Sequence, residues 1–109
     1  MLSKNNLSFI YQYRFSDLKT KEFDFYINNE YIIEYDGQQH FDIVANWGDK
    51  EKFIRTRLSD KEKNQYCFNN NIPLIRIPYN AEYTIEDLKL ETTRFLLTPE
   101  NEQEYYNRK

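Results

Sequence analysis

The chain has few of the features that would define a secreted or membrane protein. It contains one cysteine, Cys67, within 109 residues, so it cannot form an internal disulfide, which fits a reducing compartment. No apolar run reaches the roughly 18 residues that a membrane-spanning helix needs. The start, Met1-Leu-Ser-Lys-Asn-Asn, also lacks the apolar stretch of a secretory signal. We therefore expect a cytoplasmic protein without membrane association.

An excess of basic charge is also absent. Lys and Arg total 15 against 18 Asp and Glu, which gives a net charge of −3 and argues against a protein that coats nucleic acid without discrimination. Basic residues are concentrated between Lys50 and Lys63, where six of them accompany three acids. This segment predicts a surface that attracts phosphate, although an ordinary solvated helix face has the same charge pattern.

Aromatic residues are abundant and predict several strands around one core. Strands are predicted at Phe9-Ile-Tyr-Gln-Tyr-Arg-Phe15, at Phe23-Asp-Phe-Tyr-Ile27 and at Tyr31-Ile-Ile-Glu-Tyr35. The turn Asn28-Asn29-Glu30 should join the last two in an antiparallel hairpin. Because the run from Tyr31 is nearly continuous in apolar residues, it is predicted to be the central strand, ended by Asp36-Gly37.

The second half predicts a helical crossover. Residues 49–70 show helical spacing, and Ser59-Asp-Lys-Glu62 resembles a capping box that predicts a break at Ser59. Ile72-Pro-Leu-Ile-Arg-Ile77 then predicts a parallel strand. A final helix is expected from Thr84 to Leu97. We thus predict one α/β domain over residues 1–97, with a mixed sheet, and a loose polar tail over residues 98–109.

Three carboxylates should converge at one end of the hairpin. Asp24 lies within an apolar strand, and Glu34 and Asp36 occupy alternate positions on its partner, so they share one face. Buried carboxylates need a cation, a basic partner or a shared proton. We expect all three to bind Mg²⁺ or Mn²⁺, ions suited to phosphodiester hydrolysis. Each acid taken alone has a simpler explanation, such as capping a turn.

Other candidates flank this group. His40 follows the glycine that ends the strand and is a candidate general base, proton shuttle or water-positioning group. A packing role is the alternative for an isolated histidine. Trp47 is a candidate for stacking on bases, or else it covers the core beneath a loop. Arg55 and Arg57 are candidate phosphate clamps, or else solvated helix residues.

These positions resemble a known family. The matching segments are Phe23-Asp24-Phe-Tyr-Ile, Ile33-Glu-Tyr-Asp-Gly-Gln-Gln-His40-Phe, Asp60 with Lys63-Asn-Gln-Tyr-Cys, and Leu74-Ile-Arg-Ile-Pro-Tyr79. They are similar to the very-short-patch-repair-like branch of the PD-(D/E)xK nuclease superfamily, which includes phage-encoded homing-type endonucleases. The resemblance covers roughly Tyr11 to Leu96.

The resemblance implies a restriction-endonuclease-like core and metal-dependent cleavage of DNA in a bacterial or phage-infected cell. It implies that Asp24 is the central metal ligand, that His40 is catalytic and that Asp60 is an assisting acid. Glu34 and Asp36 occupy the place of the family's acid-x-Lys pair, so the missing lysine charge is expected from Lys63, one helical turn beyond Asp60.

One family feature has no counterpart here. Relatives carry a helix with a glutamate before the first strand, whereas only residues 1–8 precede Phe9. Three explanations are open: this chain is one part of a split nuclease whose helix is supplied elsewhere, a homodimer partner or complementing subunit provides the acid, or the domain has reduced activity. The alternative is a catalytically impaired, nuclease-derived binding protein.

Overall fold

The computed structural model of this protein describes residues 8–41 and 48–107. Five strands form one mixed sheet in the order β1-β2-β3-β4-β5. The elements are β1 (Phe9–Tyr13), β2 (Phe23–Ile27), β3 (Tyr31–Asp36), α1 (Lys50–Asn69), β4 (Leu74–Pro78), β5 (Leu96–Leu97) and α2 (Glu102–Asn107), with 3₁₀ turns at Gln38–His40 and Glu86–Leu88. The predicted α/β class is confirmed. No helix among the described residues is both long enough and apolar enough to span a bilayer.

The predicted hairpin is present, with the predicted turn. β2 and β3 are antiparallel, and Ile27 pairs with Tyr31 across the connection. Asn28 and Asn29 have φ angles of 53° and 55°, a left-handed conformation that asparagine tolerates better than most residues. β3 then lies at the centre of the sheet, as its continuous apolar run predicts.

Helix α1 makes the predicted parallel crossover from β3 to β4. It begins after Asp49, whose side chain accepts a hydrogen bond from the Lys52 amide at 3.0 Å. The predicted break at Ser59 is wrong, because α1 is a single helix of 20 residues. Lys21 Nζ lies 3.1 Å from Ser59 Oγ and 2.9 Å from Glu62 Oε1. Both residues of the apparent capping box therefore contact a lysine from another part of the chain.

The predicted helix from Thr84 to Leu97 is also wrong. Only Glu86–Leu88 forms a short 3₁₀ turn, and Leu96–Leu97 forms β5, antiparallel to β4. The Glu86 carbonyl accepts a hydrogen bond from the Thr92 hydroxyl. In a continuous helix this carbonyl would accept from a backbone amide one turn further along. The apolar residues of this segment still cover the sheet, but mainly from a loop.

The tail is not loose, contrary to the prediction from its polar composition. Residues 102–107 form α2, in which Tyr105 and Tyr106 are 7% and 5% exposed. The Phe41 ring packs against both at tilted angles, with centroid distances of 5.4 Å to Tyr105 and 6.1 Å to Tyr106. The described residues after Pro99 are therefore part of the same core as the sheet.

The two faces of the sheet bury different apolar clusters. One cluster lies beneath α1 and α2 and comprises Phe23, Ile32, Cys67, Leu74, Leu97, Tyr105 and Tyr106. The other lies beneath the segment between β4 and β5 and comprises Ile27, Tyr31, Ile33, Ile75 and Ile77. Neighbouring residues of β3 and β4 alternate between the two clusters, as the pleat of a strand requires.

β1 is an outer strand whose side chains are largely exposed. Phe9 and Ile10 are each 45% exposed, and Tyr11 is 62% exposed. Its pairing with β2 skips one position, because Tyr11 pairs with Phe25 and Tyr13 pairs with Phe23. The residue skipped on β1 is Gln12, which has a φ of 54°.

Candidate active site

The face of β3 and β4 beneath α1 changes from apolar to charged along the strands. Ile32 and Leu74 are paired neighbours in the core, and two residues further along Glu34 is paired with Arg76. Asp36 extends the charged end. The side of α1 that faces the sheet matches this change. Cys67 lies over the apolar end of the strands, and Asn64 and Asp60, which come earlier in α1, lie over the charged end. The candidate site occupies this charged end of the layer between sheet and helix.

The carboxylates of Asp24 and Glu34 each accept a hydrogen bond from a backbone amide of the neighbouring strand, across β2 and β3. The Asp24 amide donates to Glu34 Oε1 at 2.9 Å, and the Tyr35 amide donates to Asp24 Oδ2 at 2.8 Å. Regular pairing of the two strands ends one residue earlier, at Phe25 and Ile33. The two carboxylates thus replace the last bonds of the ladder, which holds them side by side where the strands separate.

The backbone beside Asp24 is irregular on its other edge as well. The skipped residue Gln12 lies opposite Asp24 in the β1–β2 register, and its left-handed φ of 54° is uncommon for a non-glycine residue. Such conformations carry a cost of about 1 to 3 kcal/mol and concentrate at functional sites. Asp24 therefore lies at an interruption of both neighbouring ladders.

Lys63 supplies the cation of this acidic pair. Its Nζ lies 2.6 Å from Glu34 Oε2, and the ammonium also lies 5.1 Å from the centre of the Phe23 ring. Burial and the charge of Glu34 raise the pKa of Asp24, and they outweigh the Tyr35 amide and the Lys63 charge, which lower it. One lysine thus faces two carboxylates, and the local field around Asp24 stays negative.

Arg76 organises a second, closed cluster of charges. Its side chain is fully buried, and it donates from Nη1 to Asp36 Oδ1 at 2.7 Å and from Nε to Asn64 Oδ1 at 2.8 Å. Nη2 lies 3.7 Å from Asp60 Oδ1 and has no hydrogen-bond partner among the described residues. Burial lowers the pKa of Arg76, but Asp36 and Asp60 raise it well above its usual range, so the guanidinium stays charged.

Helix α2 completes this cluster from the end of the described chain. The Tyr105 hydroxyl donates to Asp36 Oδ2 at 2.7 Å, so both oxygens of Asp36 have a buried donor. Asn64, which accepts from Arg76, donates in turn to Glu102 Oε2 at 2.7 Å and to the Tyr106 hydroxyl at 3.2 Å. The orientation of Asp36 and Arg76 therefore depends on α2 as well as on the sheet.

His40 and Asp60 form a hydrogen-bonded pair at the edge of this cluster. His40 Nδ1 lies 2.7 Å from Asp60 Oδ2. Burial raises the pKa of Asp60, but the bond to His40 and the charge of Arg76 hold it below its usual value. An ionised Asp60 can only accept, so Nδ1 carries the proton and Nε2 is the basic nitrogen of a neutral ring.

The charge of His40 depends on its acidic neighbours. Burial lowers the pKa of His40, but the hydrogen bond to Asp60 and the negative charges of Asp36 and Asp60 outweigh burial and raise it. Nε2 has no hydrogen-bond partner among the described residues. His40 is therefore able to carry a proton near neutral pH at a nitrogen that no described residue occupies.

An open cleft of about 700 Å³ lies against this pair. Its lining consists of Gln39, His40, Lys52, Arg55, Thr56, Ser59, Asp60 and Lys63. The predicted phosphate residue Arg55 is thus in the cleft. Arg57 is not, because it lies over the Tyr106 ring at 4.1 Å and borders a different depression. The other predicted nucleic-acid contact, Trp47, lies outside the described residues.

Two sets of residues are candidates for holding a divalent cation. Ligand atoms of Asp36, His40 and Asp60 lie within 4.8 Å of one another, but both acids of this set are buried and contact the buried Arg76. Asp24 and Glu34 likewise share one cation among the described residues, Lys63, but Asp24 is only half-buried. A hard cation that keeps several of its waters needs a carboxylate that solvent can reach, so accessibility favours the pair of Asp24 and Glu34. The predicted ligand Asp36 is instead paired with Arg76 and Tyr105.

Sequence reasoning missed Arg76 and Tyr105. The signal for Arg76 was present, since an arginine within Leu74-Ile-Arg-Ile-Pro78 must find a buried partner if that run is a covered strand. For Tyr105 no such signal exists, because it lies in a polar segment far in sequence from Asp36. Asp24, Glu34, Asp36, His40, Asp60 and Lys63 are brought together as predicted, although in two groups.

No protein-family model matches the chain, and no solved structure matches it. Among curated proteins it is similar to the uncharacterized protein 307L of Invertebrate iridescent virus 6, with 33% identity over 51 residues. The match covers 46% of this chain and 26% of the viral protein, so the chain spans about a quarter of that relative's length. The name of the relative assigns no activity.

Proposed function

We propose that the protein is a metal-dependent DNA endonuclease with a restriction-endonuclease-like core. The observation that carries the proposal is the placement of an acid pair with its lysine, Asp24, Glu34 and Lys63, beside the hydrogen-bonded pair of His40 and Asp60. Two acids from a separating hairpin, a cation and a proton carrier are the groups that phosphodiester hydrolysis requires.

Asp24 and Glu34 are the residues that would hold the metal ion. Mg²⁺ or Mn²⁺ bound by these carboxylates would offset the negative charge that develops on the phosphoryl oxygens. The chain's own contribution is to keep both acids at the point where the strands separate. The Tyr35 and Asp24 amides orient one oxygen of each acid, and the half-buried Asp24 presents its carboxylate next to that of Glu34.

His40 moves the proton. In its neutral form, Nε2 accepts a proton from the water that attacks phosphorus, while Asp60 holds Nδ1–H and stabilises the resulting imidazolium. The bond from phosphorus to the leaving oxygen then breaks, and this oxygen takes a proton from a solvent water molecule, while His40 returns its own proton to solvent. Since the neutral form is the active base, the rate is expected to rise with pH through the raised pKa of His40. A measured pH profile of cleavage tests this role.

The direct test is cleavage of supercoiled plasmid DNA by the purified chain with Mg²⁺ or Mn²⁺. Asp24→Asn is the informative variant, because asparagine retains an acceptor for the Tyr35 amide but removes the ligand charge. We expect the wild type to nick the plasmid and Asp24→Asn to lose at least about 100-fold in rate, the usual effect of removing one positioned charge.

Glu30→Gln is the matched control, since Glu30 is an exposed acid in the hairpin turn at the opposite end of the strands. It should cleave like the wild type. Plasmid that stays supercoiled with the wild type and both metal ions would refute the catalytic proposal. A parallel RNA substrate separates an RNA-directed nuclease from a DNA-directed one.

A specific observation favours a second candidate, a nuclease-derived binding protein. Lys63 and Arg76 already lie among the carboxylates of the site, so the charged cluster can be stable without an ion. This alternative predicts partner binding that needs no metal and persists in Asp24→Asn. Loss of binding in that variant, or a strict requirement for metal, would exclude it.

A further inference from the structure

One side of α1 differs from the rest of the acidic chain. Among the residues that the structure describes, the cleft is lined by three cationic side chains, Lys52, Arg55 and Lys63, and by one carboxylate, Asp60, although the whole chain has a net charge of −3. We propose that this side of α1 binds the phosphodiester backbone of duplex DNA, chiefly through Lys52, Arg55 and Ser59. The inference rests on the proposed nuclease function and names the surface that holds its substrate.

The spacing of these residues makes them a continuous strip. Lys52, Arg55, Ser59 and Lys63 are three or four residues apart on α1, so their side chains lie along one face. Eleven residues of α-helix rise about 16 Å. Successive phosphates of one DNA strand are roughly 3.4 Å apart along the duplex axis and further apart along the winding backbone, so the strip is long enough to contact more than one phosphate of a strand.

The cations of the strip differ in whether the fold already uses them. Lys63 is paired with Glu34 at 2.6 Å. Lys52 is exposed and has no ion-pair partner within the described ranges. Arg55 lies 4.0 Å from Glu51, with side chains 67% and 88% exposed, and such exposed pairs contribute little. Lys52 and Arg55 are consequently the cations available to an external anion.

A hydroxyl group adds a directional donor to the strip. Ser59 Oγ accepts from Lys21 Nζ at 3.1 Å, which leaves its own proton free to donate to a phosphate oxygen. Cations and hydroxyls are typical of contacts that position a nucleic-acid backbone without reading its bases. The strip should therefore bind DNA of any sequence.

The position of the strip connects binding to hydrolysis. The strip ends at Lys63, which lines the same cleft as His40 and is paired with Glu34. A strand held along Lys52, Arg55 and Ser59 would bring a neighbouring phosphate towards His40, whose Nε2 is the proton acceptor of the proposed hydrolysis. The surface thus directs one phosphodiester to the proposed site rather than merely attracting DNA.

The test measures DNA binding without cleavage. The full chain is titrated against a fluorescent 20-base-pair duplex in EDTA at several salt concentrations, with Lys52→Gln and Arg55→Gln as the variants. One phosphate contact contributes about 0.9 to the slope of log affinity against log salt, or about eightfold in affinity at 0.1 M salt. Each variant should therefore lose about 0.9 from the slope and about eightfold in affinity at 0.1 M salt.

Lys61→Gln is the matched control, because Lys61 lies on the same helix but borders the depression that contains Arg57. It should keep the wild-type slope, and thermal unfolding should show that all variants remain folded. Equal losses in Lys61→Gln, an unchanged slope in both cleft variants, or no measurable duplex binding would each overturn the inference. If single-stranded DNA bound as tightly as the duplex and lost as much affinity in Lys52→Gln and Arg55→Gln, the assignment of the strip to duplex DNA would be overturned.

The two proposals fail separately. If the wild type cuts plasmid but the cleft variants bind with an unchanged slope, the strip is wrong and the nuclease proposal stands. If the wild type does not cut but binding depends on Lys52 and Arg55, the nuclease proposal is wrong and the surface is a DNA-binding strip without hydrolysis.

Discussion

The two charged clusters of the site each hold one cation for two carboxylates, but they differ in burial. Asp36 and Asp60 lie around the fully buried Arg76 and are buried themselves, and Tyr105 donates to the remaining oxygen of Asp36. Asp24 and Glu34 lie beside Lys63, and Asp24 is the one acid of these four that is only half-buried. The closed cluster is a structural support, whereas the open pair of Asp24 and Glu34 keeps a carboxylate that a ligand can reach. Chemistry is expected at the acid that the fold leaves accessible.

The largest effect should come from removing the cation of the closed cluster. Arg76→Met leaves Asp36 and Asp60 buried without their charge partner, which should reduce the free energy of unfolding by about 3 to 5 kcal/mol. Urea unfolding followed by circular dichroism measures it. Arg14→Met, at an exposed arginine, should change little. A fully stable Arg76→Met would mean that the closed cluster is not a support.

A smaller loss is expected when only one donor of that cluster is removed. Tyr105→Phe keeps the ring packed but deprives Asp36 of a buried hydrogen bond to a charged group, which should cost about 1.5 to 3 kcal/mol. The same unfolding assay applies, with the exposed Tyr11→Phe as control. Equal stability of the two variants would contradict the assigned contact between α2 and Asp36.

The hydrogen-bonded pair of His40 and Asp60 should make the stability of the protein depend on pH. The pKa of Asp60 is lower in the folded state than in the unfolded state. Asp60 therefore adds stability at pH values above its unfolded pKa, and this stability is lost as the pH falls through its folded pKa. The pKa of His40 is higher in the folded state than in the unfolded state. His40 therefore adds stability that is fully present below its unfolded pKa of about 6.5 and is lost as the pH rises through its folded pKa.

The contribution of the pair should therefore be greatest between about pH 4 and 6.5. His40→Gln should remove the alkaline part of this dependence, because glutamine does not titrate in this range. Melting temperatures from pH 4 to 9 measure it for both proteins. Parallel curves for wild type and variant would show that His40 is not coupled to its acidic neighbours.

The smallest effect on stability, with the opposite sign, is expected at the open pair of Asp24 and Glu34. Burial and Glu34 raise the pKa of Asp24, so the folded state favours its neutral form and ionised Asp24 is destabilising at pH 7. Asp24→Asn should gain up to about 0.5 kcal/mol while losing cleavage. Glu30→Gln should change neither quantity. A clear loss of stability in Asp24→Asn would place Asp24 among the structural charges.

The sequence predicted those features that depend on local patterns. Asn28 and Asn29 predicted the hairpin, and the alternation of Glu34 and Asp36 predicted that both acids face the same layer. The capping pattern at Ser59 misled because both of its side chains contact Lys21, a residue 38 positions away. Likewise, a partner as distant as Tyr105 determines the state of Asp36, and no local pattern reports such a pair.

The irregular conformation of Gln12 has a further consequence for the behaviour of the protein at high concentration. Among the described residues, β1 is an outer strand with exposed aromatic side chains, and a free strand edge is a template for the addition of further chains. Because Gln12 interrupts the strand, the regular edge extends only over Phe9, Ile10 and Tyr11. Another copy finds too short an edge for stable pairing, so the distortion beside Asp24 also protects the sheet from aggregation.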